Sequence, residues 1–253
     1  MHGCCGHMGQ VISDLVEKDT NAEIVAGIDV TDKGNTSYPV FTDIHECKTE
    51  ADVLIDFSSA KAADALLDYC VERSLPVVLC TTGLSEEQLA KVEETAKKIP
   101  VLKSANMSLG INTLMKLIQD AAKVLATAGF DMEIVEKHHR LKLDAPSGTA
   151  ITLAEGILEN LDRKQKWVSG TLTAPDGTVS GTTDCAPDEL PVSAVRRGEV
   201  PGIHTIKYES DADSIIITHD AKNRSGFALG AVLAAEYTAG HTGFLGMNDL
   251  FPF

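Results

Sequence analysis

The sequence predicts an α/β fold. A doubly wound parallel-sheet domain covers residues 1–109, an α+β domain with a mixed sheet covers 110–223, and a helix with its tail, 224–253, returns to the first domain. Three observations carry this. Short, nearly continuous apolar runs alternate with helical patterns through the first hundred residues, as strands covered by helices on both faces do. Glycines recur at 3, 6 and 9 just before a helical pattern. After Ile111 the alternation changes to half-alternating segments such as Met132–Glu136, the pattern of a sheet with one packed face.

Met8 to Val16 has helical spacing, and Glu23–Asp29 is a short apolar run that reads as a strand. Asp52–Phe57 is the next strand, followed by an Ala/Leu-rich helix from about Ala60 to Arg73. Pro76–Cys80 is a third run, stopping at Thr81-Thr82-Gly83. Ser85 opens another helix, with Glu86 and Glu87 in the first turn, where the macrodipole favours acids. Val101–Lys103 is a further short strand, leading into Ser104-Ala105-Asn106-Met107. In the second domain, helices at Ile111 to about Ala126 and at Ser147–Leu161 accompany strands at Met132–Glu136, Val192–Val195, Thr205–Glu209 and Ser214–Thr218. Gly170–Pro187, rich in Gly, Thr, Asp and Pro, reads as one long loop. Ser225–Ala239 is an Ala/Leu/Gly-rich helix.

A doubly wound fold needs a strand directly before its glycine turn, and only Met1 and His2 stand there. Without that strand both neighbours lose a ladder of backbone partners, so the sequence predicts a misplaced start or a truncated chain.

Composition excludes several classes. Lys and Arg number 22 against 37 Asp and Glu, a formal net charge of −15, and 43% of residues are apolar, which rules out disordered and collagen-like chains. The acidic balance argues against nucleic-acid binding, which needs cations at phosphates. No apolar run reaches about 18 residues, and no basic segment leads into an apolar one at the N-terminus, so neither a membrane span nor secretion is expected and the cytoplasm is. Six cysteines, at 4, 5, 47, 70, 80 and 185, lack C-x-x-C spacing, so reduced thiols and no metal site are expected. Cys4-Cys5 reads as small residues tolerated beside glycine, with a redox-active pair as the alternative.

The turn Gly3-Cys4-Cys5-Gly6-His7-Met8-Gly9 precedes a helix. Glycine there lets backbone amides approach a pyrophosphate, and the helix start adds unpaired N–H donors and a favourable dipole. Asp29 ends the next strand, where an acid accepts from an adenosine ribose hydroxyl. Thr81-Thr82-Gly83 and Ser104 to Met107 lie at the C-terminal ends of two later strands, the edge where open sheets hold ligands; ordinary turn chemistry is the alternative.

The densest constellation is Lys137-His138-His139-Arg140-Leu141-Lys142, followed by Asp144-Ala145-Pro146-Ser147-Gly148-Thr149 and a helix. Positive charge is concentrated at one strand end of an acidic chain. Hydroxyls and amides at the helix start offer a carboxylate site, and histidine and a crowded lysine can both move protons near neutrality. The alternative is a solvated basic face with Ser147 as an ordinary helix cap.

Together these residues resemble the 4-hydroxy-tetrahydrodipicolinate reductase (dihydrodipicolinate reductase) family across essentially the whole chain. Glu136-Lys137-His138-His139-Arg140 through Lys142-Leu143-Asp144-Ala145-Pro146-Ser147-Gly148-Thr149-Ala150 is similar to the family's E-x-H-H-x(3)-K-x-D-A-P-S-G-T-A signature. The G-x-x-G-x-M-G turn at Gly3, T-T-G at Thr81, A-N-[FM]-S-x-G at Ala105, and Arg196-Arg197-Gly198 running to Gly202-Ile203-His204-Thr205 support it.

The resemblance implies NADH- or NADPH-dependent reduction of a cyclic imine dicarboxylate. It implies His138 as proton donor or acceptor and Lys142 as proton donor, with His139, Lys142, Ser147, Gly148 and Thr149 binding the substrate. The cofactor would lie on Gly3, Cys4, Cys5, Gly6, His7, Met8, Asp29, Thr81, Thr82, Gly83, Ser104, Ala105, Asn106 and Met107, and the protein would be a homotetramer. Two departures stand out. His7 takes a place where the family often has Arg or Lys. Val30 follows Asp29, with Lys33 the nearest cation, which favours a free ribose hydroxyl and hence NADH at least as much as NADPH. Another two-domain dehydrogenase of a small amino or keto acid, or a non-catalytic dinucleotide sensor, are the alternatives.

Overall fold

The computed structural model describes residues 1–18 and 21–250. The chain divides into two compact units: Met1–Leu109 together with the chain from Arg224, and Gly110–Asn223.

In the first unit α1 (His7–Val16) follows the glycine turn, and β1 (Gly27–Ile28) pairs in parallel with β2 (Val40–Phe41). β3 (Leu54–Asp56), α2 (Ala63–Glu72), β4 (Val77–Leu79), α3 (Glu86–Ala96) and β5 (Val101–Lys103) follow in alternation, and β3, β4 and β5 are parallel neighbours. Ser85 caps α3 in a reciprocal capping box with Gln88, which satisfies two helix-end amides.

The second unit holds α4 (Leu109–Leu125), β6 (Asp131–His138), α5 (Gly148–Leu158), β7 (Lys166–Thr173), β8 (Val179–Ser180), β9 (Glu189–Arg196), β10 (Gly202–Glu209) and β11 (Ser214–Ala221). Its six strands form one mixed sheet in the order β11-β10-β6-β9-β7-β8, with β6, β9 and β7 mutually parallel. The chain then rejoins the first unit through α6 (Ser225–Ala239), β12 (Phe244–Leu245) and α7 (Met247–Leu250), where β12 adds in parallel to β5.

Alternation along β4 explains the layering of the first unit. Val77 and Leu79 join Leu66, Leu67 and Val92 in one core, while Val78 joins Ile12, Leu102 and Val232 in another. The sheet is therefore packed on both faces, α2 and α3 on one side and α1 and α6 on the other. At one point α6 comes against backbone: a methyl on Gly230 would sit 1.8 Å from the Met107 carbonyl oxygen, so only glycine fits. In the second unit Ile118, Ile134, Leu153, Ile157, Leu190 and Ile206 form the core. Tyr208 is buried among them and its hydroxyl donates to the Ile118 carbonyl at 2.8 Å.

Two expectations need correction in detail. The loop read at Gly170–Pro187 begins with strand residues: β7 runs to Thr173 and β8 turns back onto it. Polar Ser169, Thr171 and Thr173 hide the strand pattern because β7 is only half-buried. The Glu23–Asp29 run contracts to the pair Gly27–Ile28. No strand precedes the glycine turn among the described residues, and Met1 and His2 stand in its place. His2 bridges Ile28 and Asp56 in parallel, so the slot between β1 and β3 is closed by one residue. Met1 donates from its amine to the Ala26 carbonyl at 2.8 Å and accepts from the Ile28 amide at 2.9 Å. Met1 also lines a cavity of about 830 Å³ together with Val25, Ala26, Val53 and Leu54.

Candidate active site

In the first unit the glycine turn is shaped by steric need. Gly3 has φ of +77°, and a methyl there would meet the Phe57 carbonyl oxygen at 2.5 Å. On Gly9 a methyl would lie 2.3 Å from the Gly3 oxygen, so α1 can press onto the turn only without a side chain. Gly6 caps α1 with no side chain to occupy the first-turn amides, which leaves an N-terminus suited to a phosphate. Asp29 is joined to this turn: its Oδ2 accepts from the Cys5 amide at 2.8 Å. Lys33 donates to the Cys5 carbonyl at 2.8 Å, so the nearest cation beside Asp29 is held at the turn.

His7 is exposed, and its Nε2 accepts from the Arg224 guanidinium at 3.0 Å. Arg224 thus supplies a permanent cation at the start of α1, and sequence reasoning did not identify it because 217 residues separate the two. Met8 is half-buried. Cys4 and Cys5 are buried behind the turn.

Thr81 spends its hydroxyl on Asp56 Oδ2 at 2.6 Å. Burial alone would raise the Asp56 carboxyl, but His2, Ser58 and Thr81 outweigh it and hold the group below its ordinary range. Thr82 and Gly83 are exposed past that anchor. Ser104 and Asn106 stabilise their own turn, with Ser104 Oγ accepting from the Asn106 amide and Asn106 Oδ1 from the Ser108 amide. Ala105 is exposed, whereas the Met107 side chain is a core residue, 2% exposed. Met107 therefore offers a ligand backbone rather than side chain.

The second unit assembles its site at the end of β6. Alternation puts Met132, Ile134, Glu136 and His138 on one buried face, apolar at the start of the strand and ionisable at its end. Glu136 is fully buried and receives four donors: Arg196 at 2.6 and 2.8 Å, His138 Nδ1 at 2.5 Å and the Ser147 amide at 3.0 Å. Burial pushes the Glu136 carboxyl up, but His138 and Arg196 together hold it below the usual carboxylate range. An ionised Glu136 fixes His138 as the Nδ1–H tautomer and leaves Nε2 for a ligand. Gly202 keeps that nitrogen clear, since a methyl there would lie 3.0 Å from His138 Nε2.

His139 is half-buried, and its carbonyl accepts from the Lys142 amide at 3.1 Å. Lys142 Nζ lies 2.9 Å from Asp144 Oδ1, a contact that holds the Asp144 carboxyl below its ordinary range. Ser147 caps α5, its Oγ accepting from the Ala150 amide at 3.3 Å, so this hydroxyl is a structural cap. Gly148 and Thr149 open the helix, with open space above Gly148. The structure thus brings His138, His139, Lys142, Ser147, Gly148 and Thr149 to one strand end and the helix start that follows it.

Sequence reasoning assigned no roles to Glu136, Arg196 or His204. The spacing of Glu136, two before His138, places it on the same face and could have signalled it. Arg196 faces His138 only through the β6–β9 register, 60 residues from Glu136. His204 packs edge-on against His138, ring centres 5.2 Å apart, and burial with His138 nearby lowers its pKa to about 3.

That shift predicts acid sensitivity. An unfolded histidine takes its proton near 6.5 and folded His204 only near 3, so between these values the unfolded state holds the extra proton. Stability from this group is whole above 6.5 and falls with pH through that window by about 1.4 kcal/mol per unit. A His204→Asn variant is expected to show a shallower loss of Tm between pH 6 and about 4 than the parent. Equal slopes would contradict the assignment.

A glycine turn on a parallel sheet, closed by an acid at the next strand end, is how dinucleotide cofactors are held, and the chain falls in the class of NAD(P)-dependent oxidoreductases. Comparison with known proteins narrows that class. Residues 1–107 match the family model for the N-terminus of dihydrodipicolinate reductase and residues 110–251 the model for its C-terminus, so the chain belongs to the dihydrodipicolinate reductase family.

The 4-hydroxy-tetrahydrodipicolinate reductase of Caldanaerobacter subterraneus subsp. tengcongensis is 44% identical over 99% of this chain and 96% of its own. That of Clostridium tetani is 41% identical over 94% and 90%. Among solved structures, the dipicolinate-bound dihydrodipicolinate reductase of Paenisporosarcina sp. TG-14 superposes with a TM-score of 0.80 at 26% identity, covering 97% of this chain and 95% of that one. An engineered D-amino acid dehydrogenase shares the fold, with a TM-score of 0.56 at 15% identity over 98% and 94% of the two chains.

Proposed function

We propose that the protein reduces 4-hydroxy-tetrahydrodipicolinate to tetrahydrodipicolinate with NADH or NADPH, acting on the cyclic imine left when the substrate loses water. The carrying observation is the end of β6, where buried Glu136 presets His138 and accepts from the Ser147 amide at the start of α5, in a chain of this family. The relatives named above carry this activity in their names, and the Paenisporosarcina structure holds dipicolinate, a cyclic dicarboxylate.

The Gly3–Met8 turn and the first-turn amides of α1 hold the pyrophosphate, assisted by Arg224 beside His7. Asp29 accepts from the ribose, with Thr82, Gly83, Ser104, Ala105, Asn106 and the Met107 backbone along the neighbouring strand ends. Bound there, the reduced nicotinamide supplies the hydride. In the second unit the amides of Gly148 and Thr149, with His139 and Lys142, bind the substrate carboxylates. Hydride arriving on a conjugated imine builds negative charge, which cations and amides already in place stabilise. Lys142 donates a proton, and His138 gives or takes one at Nε2. Asp29 favours a free 2′-hydroxyl, so NADH serves at least as well as NADPH.

Among the described residues no helix is long and apolar enough to cross a membrane. We assign the protein to the cytoplasm as a homotetramer built through the sheet of the second unit, whose edge strand β11 leaves Ile215 and Ile216 40% and 59% exposed. The test is loss of NADH absorbance with freshly generated 4-hydroxy-tetrahydrodipicolinate. Steady turnover is expected; NADH binding without turnover would point to a sensor instead.

A further inference from the structure

The glycine turn carries two adjacent thiols that cofactor binding does not require. Cys4 and Cys5 are 0% and 2% exposed, and their sulfurs lie 3.8 Å apart. A disulfide needs about 2.05 Å, so the pair is not poised as a bond. Tetrahedral zinc, with zinc–sulfur distances of about 2.3 Å, sets two thiolates about 3.8 Å apart. The third group comes from the end of β1: both sulfurs and an Asp29 carboxylate oxygen lie within 4.8 Å of one another. Asp29 is half-buried, the most exposed of the three.

We propose that Cys4, Cys5 and Asp29 form a chelating site for a thiophilic divalent cation of the zinc type, and that its occupation excludes the dinucleotide. The exclusion rests on the reading of Asp29 as the ribose acceptor; the chelation does not. Binding exchanges two S–H bonds for two metal–sulfur bonds and releases two protons, while the Asp29 carboxylate gives a third bond and water can complete the tetrahedron. Two thiolates and a carboxylate against a divalent ion leave one negative charge, and Lys33, held on the Cys5 carbonyl at 2.8 Å, offsets it. Until a cation arrives Cys4 stays protonated, because burial and the neighbouring Cys5 push its thiol up to about 12. Hard cations such as magnesium and calcium want six or more oxygen ligands and gain nothing here.

C-x-x-C spacing is absent, which is why sequence reasoning expected no thiolate site. Adjacency supplies two ligands, and folding brings the third from 24 residues away.

The test uses the chelator-treated full chain and cadmium as the spectroscopic probe. Titration should give a thiolate-to-cadmium charge-transfer band saturating at one ion per chain. Saturating NADH should weaken cadmium binding at least about tenfold, and cadmium should weaken NADH binding by the same factor, as linkage requires. Cys5→Ala should lose the band, and Asp29→Asn should weaken it. Because Cys47, Cys70, Cys80 and Cys185 are also free thiols, a band that survives in Cys5→Ala overturns the site. If Cys5→Ala does not fold, cadmium-induced protection of Cys4 and Cys5 from alkylation, mapped by peptide, decides the matter; unprotected thiols overturn it. A band indifferent to NADH, in protein shown to bind NADH without metal, overturns the exclusion. Failure to bind NADH without metal would instead count against the cofactor reading itself.

Discussion

Replacing His138 with glutamine is expected to lower kcat by about 10²–10⁴, while NADH affinity in the absence of substrate stays within about twofold. Glutamine can still reach Glu136 but cannot give or take a proton. The loss equals about 3–5 kcal/mol of transition-state stabilisation, the range for removal of one general acid or base. The split is informative because His138 belongs to the second unit and the glycine turn to the first. Steady-state rates on fresh substrate, beside NADH titration by fluorescence, check it. Turnover at the parent rate would remove His138 from the mechanism.

An Arg196→Met variant is expected to lose about 3–5 kcal/mol of stability, as breaking a buried ion pair from one side does. Glu136 has no solvent to fall back on, being 0% exposed, and would keep only His138 and the Ser147 amide. The Asp144 carbonyl would lose its donor as well, at 2.6 Å in the parent. The single tryptophan, Trp167, lies on β7 of the second unit, so its fluorescence in a urea series reports the unit concerned. Adding Glu136→Gln should restore part of the loss, because the double variant no longer buries an uncompensated charge. A loss below about 1 kcal/mol in the single variant would show that the Glu136 charge is met some other way.

The α/β alternation was legible because buried parallel strands must be apolar on both faces, which leaves runs such as Pro76–Cys80 that survive without context. α6 matched its sequence reading at both ends, Ser225 and Ala239. The polar strand β7 and the short β12 were not legible, since a half-buried or two-residue strand imposes little pattern. For the site, Gly3, Gly9, His138, Lys142 and Gly148 could be singled out by type and spacing. What holds them could not: Arg196 reaches Glu136 across a strand register, and Arg224 reaches His7 from the far end of the chain.

The sequence by itself determined the class of fold, the glycine turn with its acid, and the cationic end of β6, because each is written in neighbouring residues and obeys local sterics or periodicity. Only the tertiary structure decided that Glu136 fixes the His138 tautomer, that Arg196 neutralises Glu136, that Thr81 is spent on Asp56, and that Cys4, Cys5 and Asp29 converge. Those facts depend on strand register and on burial, which raise the cost of an unpaired charge only once the chain has closed around it.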